Sequence, residues 1–214
     1  MDRVDIIGLL EALKDVMGEN RDYLIALDSV VGDGDLGLTM SNGFKAAYQA
    51  VLETEEQDIG KILYGAGKAM GSAVPSTMGT LMASGLMNAG KVLKGKTQIN
   101  LSGLHSLFYA YMEGVMNRGK AKIGEKTFLD GLFPAVESIG ESAAKGETFK
   151  EAAQAALKAA EKGFNDTATM IAVHGRAAMR GEASRNLEDP GAAVAKLMMQ
   201  ALLQSINYQI HRVS

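Results

Sequence analysis

Apolar side chains return every three or four positions along nearly the whole chain, and this single period constrains the fold more than any motif. Residues 3–18 show it first, with Val4, Ile7, Leu10, Leu13 and Met17 on one face. Such spacing marks a helix that buries one side. It returns over 20–31 (Leu24, Leu27, Val31), from about Leu38 to about Thr54, and over about 57–72. It continues from Ser76 or Thr77 to about Leu93, then over 101–118, 128–144 and 148–172. A last helix follows Asp189, with Val194, Leu197, Met198, Ala201 and Leu202 on one face. No convincing strand, with its two-residue alternation, interrupts the series. The expectation is an all-α protein of eight or nine helices, folded as one domain over 1–214.

Residue choice agrees with the period. Ala, Leu, Met, Glu and Lys dominate and only three prolines occur, which are helix-forming choices. The 25 glycines fit tight turns and close helix contacts. Helix starts are legible too. Asp2 can cap the first helix, and Asp189-Pro190-Gly191 pairs a capping carboxylate with proline at the first helical position.

Several function classes drop out. The chain has no cysteine, so disulfides, thiolate nucleophiles and Cys-bound metals are excluded. A net charge of −3 gives no electrostatic footprint for nucleic acid or an anionic membrane. No stretch approaches the ~18 continuous apolar residues of a membrane span, and the N-terminus lacks the apolar run of a signal peptide. A cytoplasmic protein is expected.

Three segments break the helical pattern and carry chemistry. The first is Gly32-Asp33-Gly34-Asp35-Leu36-Gly37, with Asp28 five residues before Asp33. Three carboxylates gathered without intervening bulk suit a hard, oxygen-seeking cation such as magnesium. Spacing alone leaves turn and cap roles equally open for these aspartates. An EF-hand does not fit. With Asp33 as first ligand the fifth position is Gly37, and the twelfth is Phe44 where a bidentate Glu is required.

The second segment, 71–80, places Ser72, Ser76, Thr77 and Thr80 around a helix N-terminus. Free N–H groups and the helix dipole attract phosphate there, although a plain N-cap explains the same residues. No Gly-Lys-Ser/Thr closes a glycine-rich loop, which argues against a P-loop. The third segment, 173–189, is the longest without an apolar period and holds Arg176, Arg180 and Arg185. It reads either as a lid whose arginines meet phosphate or as a solvated basic surface. His105, His174 and His211 are scattered without metal-ligand spacing and receive no role.

Taken in order, these pieces resemble the L subunit of dihydroxyacetone kinase and the C-terminal nucleotide domain of single-chain dihydroxyacetone kinases. The matching residues are Asp28 with Gly-Asp-Gly-Asp-Leu-Gly (32–37), Met40 and Gly43, then Gly-Thr-Leu (79–81). Gly-Glu-Lys-Thr-Phe-Leu-Asp (124–130), Leu-Phe-Pro-Ala (132–135), Gly175-Arg-Ala-Ala, Gly181-Glu-Ala-Ser and Asp189-Pro-Gly complete the set. The sequence departs from the family pattern at Leu36, where histidine is usual, and at Val74-Pro75, where Ser-Gly is usual.

The resemblance implies a barrel-like bundle of about eight antiparallel helices with ADP or ATP at one end. It implies that Asp28, Asp33 and Asp35 hold two magnesium ions. It implies nucleotide contacts from Leu36 and Thr39, from Ser76, Thr77, Gly79 and Thr80 of the phosphate loop, and from Gly124, Thr127 and Phe128. Asp189, Pro190 and Gly191 complete that pocket, and Arg176 is the candidate catalytic residue on the lid. It further implies a partner K subunit that holds the ketose, and leaves open whether ATP exchanges or a phosphotransferase-system protein recharges bound ADP. A homodimer also stays open. The runner-up reading is a nucleotide-responsive regulatory protein without kinase activity of its own, and a blander one is a helical scaffold with a capped acidic turn.

Overall fold

The structure, a computed structural model, describes residues 1–213, with side chains described through Tyr208, so His211 lies outside the described side chains. In chain order the described residues form α1 (Arg3–Glu19), α2 (Arg21–Val31), α3 (Leu36–Gln49), α4 (Ile59–Ala73) and α5 (Thr77–Val92). Then come α6 (Leu101–Gly119), α7 (Phe128–Lys145), α8 (Phe149–Asp166), two 3-10 segments (Thr167–Thr169 and Arg176–Ser184) and α9 (Pro190–Val213). Among the described residues the one β feature is an isolated antiparallel bridge between Asp2 and Gln98.

Eight of these helices close a ring. α1 packs on α3, each of α3 to α8 packs on the next helix in the chain, and α9 returns to α1, while α2 lies outside against α3. Alternate connections gather at opposite ends, as an antiparallel order requires. At one end the α3–α4 and α5–α6 loops and the N-terminus are tied together by Ile59 N to Lys96 O (2.8 Å) and Ile99 N to Met1 O (2.8 Å). The α2–α3, α4–α5 and α8–α9 connections meet at the other end.

One continuous core fills the ring, with Met40, Phe44, Met70, Met82, Leu104 and Tyr111 among its fully buried side chains. Each such side chain contributes roughly 1.5–3 kcal/mol by leaving water. Small residues let the helices close. A Cβ at Gly60 would lie 2.4 Å from Gly90 O, and one at Gly163 would lie 2.4 Å from Asp130 O.

The caps form as the sequence implies. Asp2 builds a capping box with Asp5, Ser76 Oγ accepts from Gly79 N, and Asp189 Oδ2 accepts from Ala192 N. Three boundaries differ, the first being the end of α3, at Gln49 rather than near Thr54, where Val51 N turns back to Tyr48 O (3.0 Å). α3 begins at Leu36 rather than near Leu38, because Gly37 belongs inside the helix, where any Cβ would strike Arg21 O at 2.1 Å. α8 stops at Asp166 rather than near 172. There the Thr167 and Thr169 hydroxyls donate to Phe164 O (2.6 Å) and Asp166 O (2.8 Å), tightening the chain into a 3-10 turn.

Candidate functional site

Asp28 sits in the last turn of α2, and Asp33 and Asp35 follow in the turn before α3. Gly34 takes φ +75°, a left-handed conformation that costs glycine little and lets the chain reverse between the two loop aspartates. Gly32 serves by close approach instead, since a Cβ there would lie 2.3 Å from Asp28 Oδ1. Each of the three carboxylates therefore offers an oxygen within 4.8 Å of the others.

This cluster is partly offset. Leu36 N donates to Asp28 Oδ2 (3.3 Å), and Arg176 Nη2 lies 2.7 Å from Asp33 Oδ2. Burial first, and then the charges of Asp33 and Asp35, push the Asp28 carboxyl above its ordinary range, while N–H groups of Leu36 and Gly34 oppose them. Oxygens around one magnesium ion lie about 3–4 Å apart at ~2.1 Å per bond, so small closing motions fit the trio to a divalent cation.

Opposite the acidic turn stands the N-terminus of α5. Ser76 Oγ caps Gly79 N (3.0 Å), and Thr80 N reaches Ser76 O (2.9 Å). The first-turn N–H groups of Thr77 and Met78 have no partner within a helix, and both residues line the cleft. An anion is attracted to such a place by the N–H groups and the dipole together.

A third wall comes from the segment between α8 and α9. Gly175 turns at φ +64°, and His174, Gly175, Arg176 and Ala177 enter the cleft. His174 Nε2 meets Glu125 Oε2 at 2.5 Å, and the Lys122 N–H first and His174 second hold the Glu125 carboxyl below its ordinary range. Asp189 is buried at the start of α9, and that burial pushes its carboxyl up to about 7 against the N–H groups of Ala192 and Gly191.

These walls enclose a cleft of about 310 Å3, the lower end of the range for small-molecule sites. It brings together ten of the residues singled out by sequence: Asp28, Asp33, Asp35, Leu36, Ser76, Thr77, Arg176, Asp189, Pro190 and Gly191. A wider groove of about 760 Å3 lies at the other end of the ring, but its carboxylates, Asp2 and Asp5, are engaged in capping α1.

The other candidates are not among the residues lining the cleft. Thr39 is buried in α3, and Gly79 and Thr80 belong to the first turn of α5. Thr127 caps α7 in a box with Asp130, whose Oδ1 also accepts from Gly124 N (2.5 Å). The Phe128 backbone supports Gly191, whose Cβ would lie 2.9 Å from Phe128 N. Of the histidines, His105 lies in α6 as its period implies, while His174, to which the sequence assigns no role, lines the cleft. Lys126 lies in the Gly-Glu-Lys-Thr-Phe-Leu-Asp (124–130) match but is given no role by the sequence, and the structure buries it.

The DAK2 domain family matches residues 30–204. The PEP-dependent dihydroxyacetone kinase, ADP-binding subunit, of Escherichia coli is 34% identical over 202 residues, covering 94% of this chain and 96% of that one. The ADP-binding subunit of PEP-dependent dihydroxyacetone kinase 2 of Listeria innocua is 31% identical over 208 residues, 96% of each chain. In fold, the dihydroxyacetone kinase of C. freundii, solved with AMP-PNP and Mg2+, superposes with a TM-score of 0.71 at 23% identity. That match covers 94% of this chain and 33% of the other.

Proposed function

This chain belongs to the DAK2 domain family, and from that premise we propose that it is the nucleotide-holding subunit of a dihydroxyacetone-type kinase. It hands phosphate to a short-chain ketose seated on a separate K subunit. One observation carries the reading: the Asp28–Asp33–Asp35 cluster, the N-terminus of α5 and Arg176 converge on one cleft at one end of the ring.

The chain's own groups divide the work. Asp28, Asp33 and Asp35 hold two magnesium ions, which when bound neutralise charge on the phosphates. The Thr77 and Met78 N–H groups and the Ser76 and Thr77 hydroxyls grip phosphate oxygens. Arg176 leaves Asp33 and faces the transferring group, where a guanidinium acts as a fixed, bidentate donor. Leu36 and Thr39 on one side, and Gly79 and Thr80 on the other, shape the phosphate end. Gly124, Thr127, Phe128 and the Asp189-Pro190-Gly191 start of α9 shape the nucleoside end. Catalysis on this chain is positioning and electrostatics, and the ketose is oriented by the partner.

We take ADP to remain bound and to be recharged by a phosphotransferase-system donor protein in the cytoplasm. The support is that the two full-length relatives are named ADP-binding subunits of PEP-dependent kinases. Denaturing the natively purified protein and assaying the supernatant tests this. Near-stoichiometric ADP is expected. Absence of ADP, with no magnesium-dependent binding of added ADP or ATP, rejects the reading.

A further inference from the structure

Lys126 is 2% exposed, yet it carries an ammonium. Its Nζ lies 2.8 Å from Thr167 O, 3.3 Å from Met170 O, 2.7 Å from Ser184 O and 2.5 Å from Leu187 O. Each of these partners is a main-chain carbonyl. Two belong to the chain just after α8 and two to the chain just before α9. The ammonium thus occupies the neck of the segment 167–187, whose far end carries Arg176 into the cleft.

Other bonds close that neck on itself, including Asn186 N to Ala168 O (2.8 Å) and Ala172 N to Ser184 Oγ (2.9 Å). Lys126 adds a tie from the neck to the loop before α7. Its neighbour Glu125 reinforces the tie by accepting from Val173 N at 3.3 Å. Lys126 also takes φ +59°, a left-handed conformation unfavourable for a residue with a side chain. Such strain persists where the surroundings hold it and points toward function. A plain core position favours an aliphatic residue, because burying a charge is costly unless its donors are met. Burial does pull the Lys126 ammonium below the usual lysine range, with Asp189 opposing and Arg185 assisting.

We infer that Lys126 is a positioning residue whose ammonium, acting as an internal cation among four carbonyl oxygens, locks the neck of 167–187 and so sets Arg176 over the cleft. What Arg176 meets there rests on the function proposed above, whereas the lock itself does not.

Two readouts test the lock: the rate at which an arginine-specific protease cuts after Arg176 and Arg180, and the dissociation rate of a fluorescent ADP analogue with magnesium. In Lys126→Met both should rise about tenfold or more, the scale of hydrogen bonds to a charged group. The chain's lack of cysteine permits a charge-specific rescue. Lys126→Cys can be unfolded, aminoethylated to restore an ammonium at lysine length, or carbamidomethylated to stay neutral, and refolded. The aminoethyl form should return both rates to near wild type and the neutral form should not. Wild-type cleavage in Lys126→Met, or equal behaviour of the two alkylated forms, overturns the inference. If Lys126→Met does not fold, recovery of the helical fold by the aminoethyl form alone supports it. Recovery by both forms or by neither, with wild type refolding in parallel, overturns it. Should wild type bind no nucleotide, the functional reading fails while the cleavage rates still decide the lock.

Discussion

Arg176 rests 2.7 Å from Asp33, so the arginine assigned to phosphate sits on a carboxylate assigned to metal. The pair is solvent-facing, with side-chain exposures of 65% and 39%. Exposed pairs of this kind stabilise a fold by only about 0–1 kcal/mol. Under the proposed function the pair would therefore matter for exchange: Asp33 would hold a divalent cation in place of the guanidinium, and Arg176 would be free to turn to phosphate.

Arg176→Ala should accordingly separate stability from activity. The melting temperature should stay within a few degrees of wild type, because little stabilisation is lost. Magnesium affinity without nucleotide should rise, because a competitor for Asp33 is gone. Phosphate transfer should fall about 100-fold or more, on the scale of a lost transition-state arginine. Calorimetry and a coupled assay with the K-type partner measure all three, and an unchanged transfer rate would remove Arg176 from the mechanism.

Gly32→Ala tests the shape of the acidic turn. The added Cβ would lie 2.3 Å from Asp28 Oδ1, so the carboxylate must swing out of the cluster. Divalent-cation affinity should fall about tenfold or more, on the scale at which disturbing a ligand's support weakens a metal site. The circular dichroism spectrum should not change. Titration with manganese, followed by electron paramagnetic resonance, reads the affinity, and an unaltered value would mean Asp28 is not a ligand.

Asp189 gives a pH dependence with a definite sign. Burial raises its folded-state carboxyl to about 7 from an ordinary 3.8. Between those values the folded chain holds a proton that the unfolded chain has released. The stability this group contributes is complete below about pH 4 and is lost as pH rises toward 7, by at most ~4 kcal/mol. Asp189→Asn keeps a capping oxygen but cannot titrate. Urea unfolding from pH 4.5 to 7.5 should show wild type losing stability relative to this variant as pH rises. A flat difference would mean that Asp189 is ionised throughout.

Much of this architecture was open to sequence reasoning because it is local. The ring helices announce themselves through a three-to-four-residue period, and the starts at Asp2, Ser76 and Asp189-Pro190 carry their own capping groups. The acidic cluster was legible because eight residues of chain contain it. Tertiary effects hid the rest. Gly37 reads as a helix breaker, yet packing against Arg21 O demands it within α3. The role of Lys126 could not be read even though it stands in the 124–130 motif, since its carbonyl partners lie 41 to 61 residues away and leave no trace in side-chain identity.

The claim at the centre is that three carboxylates hold divalent cations that clamp a polyphosphate to the open end of the ring. Binding of ADP to nucleotide-stripped wild type and Asp35→Asn, each with and without magnesium, tests it directly. Wild type should need magnesium, and Asp35→Asn should lose about 100-fold or more in affinity while keeping its helical fold, as expected when a metal ligand is removed. Equal ADP affinity in all four measurements would contradict the claim.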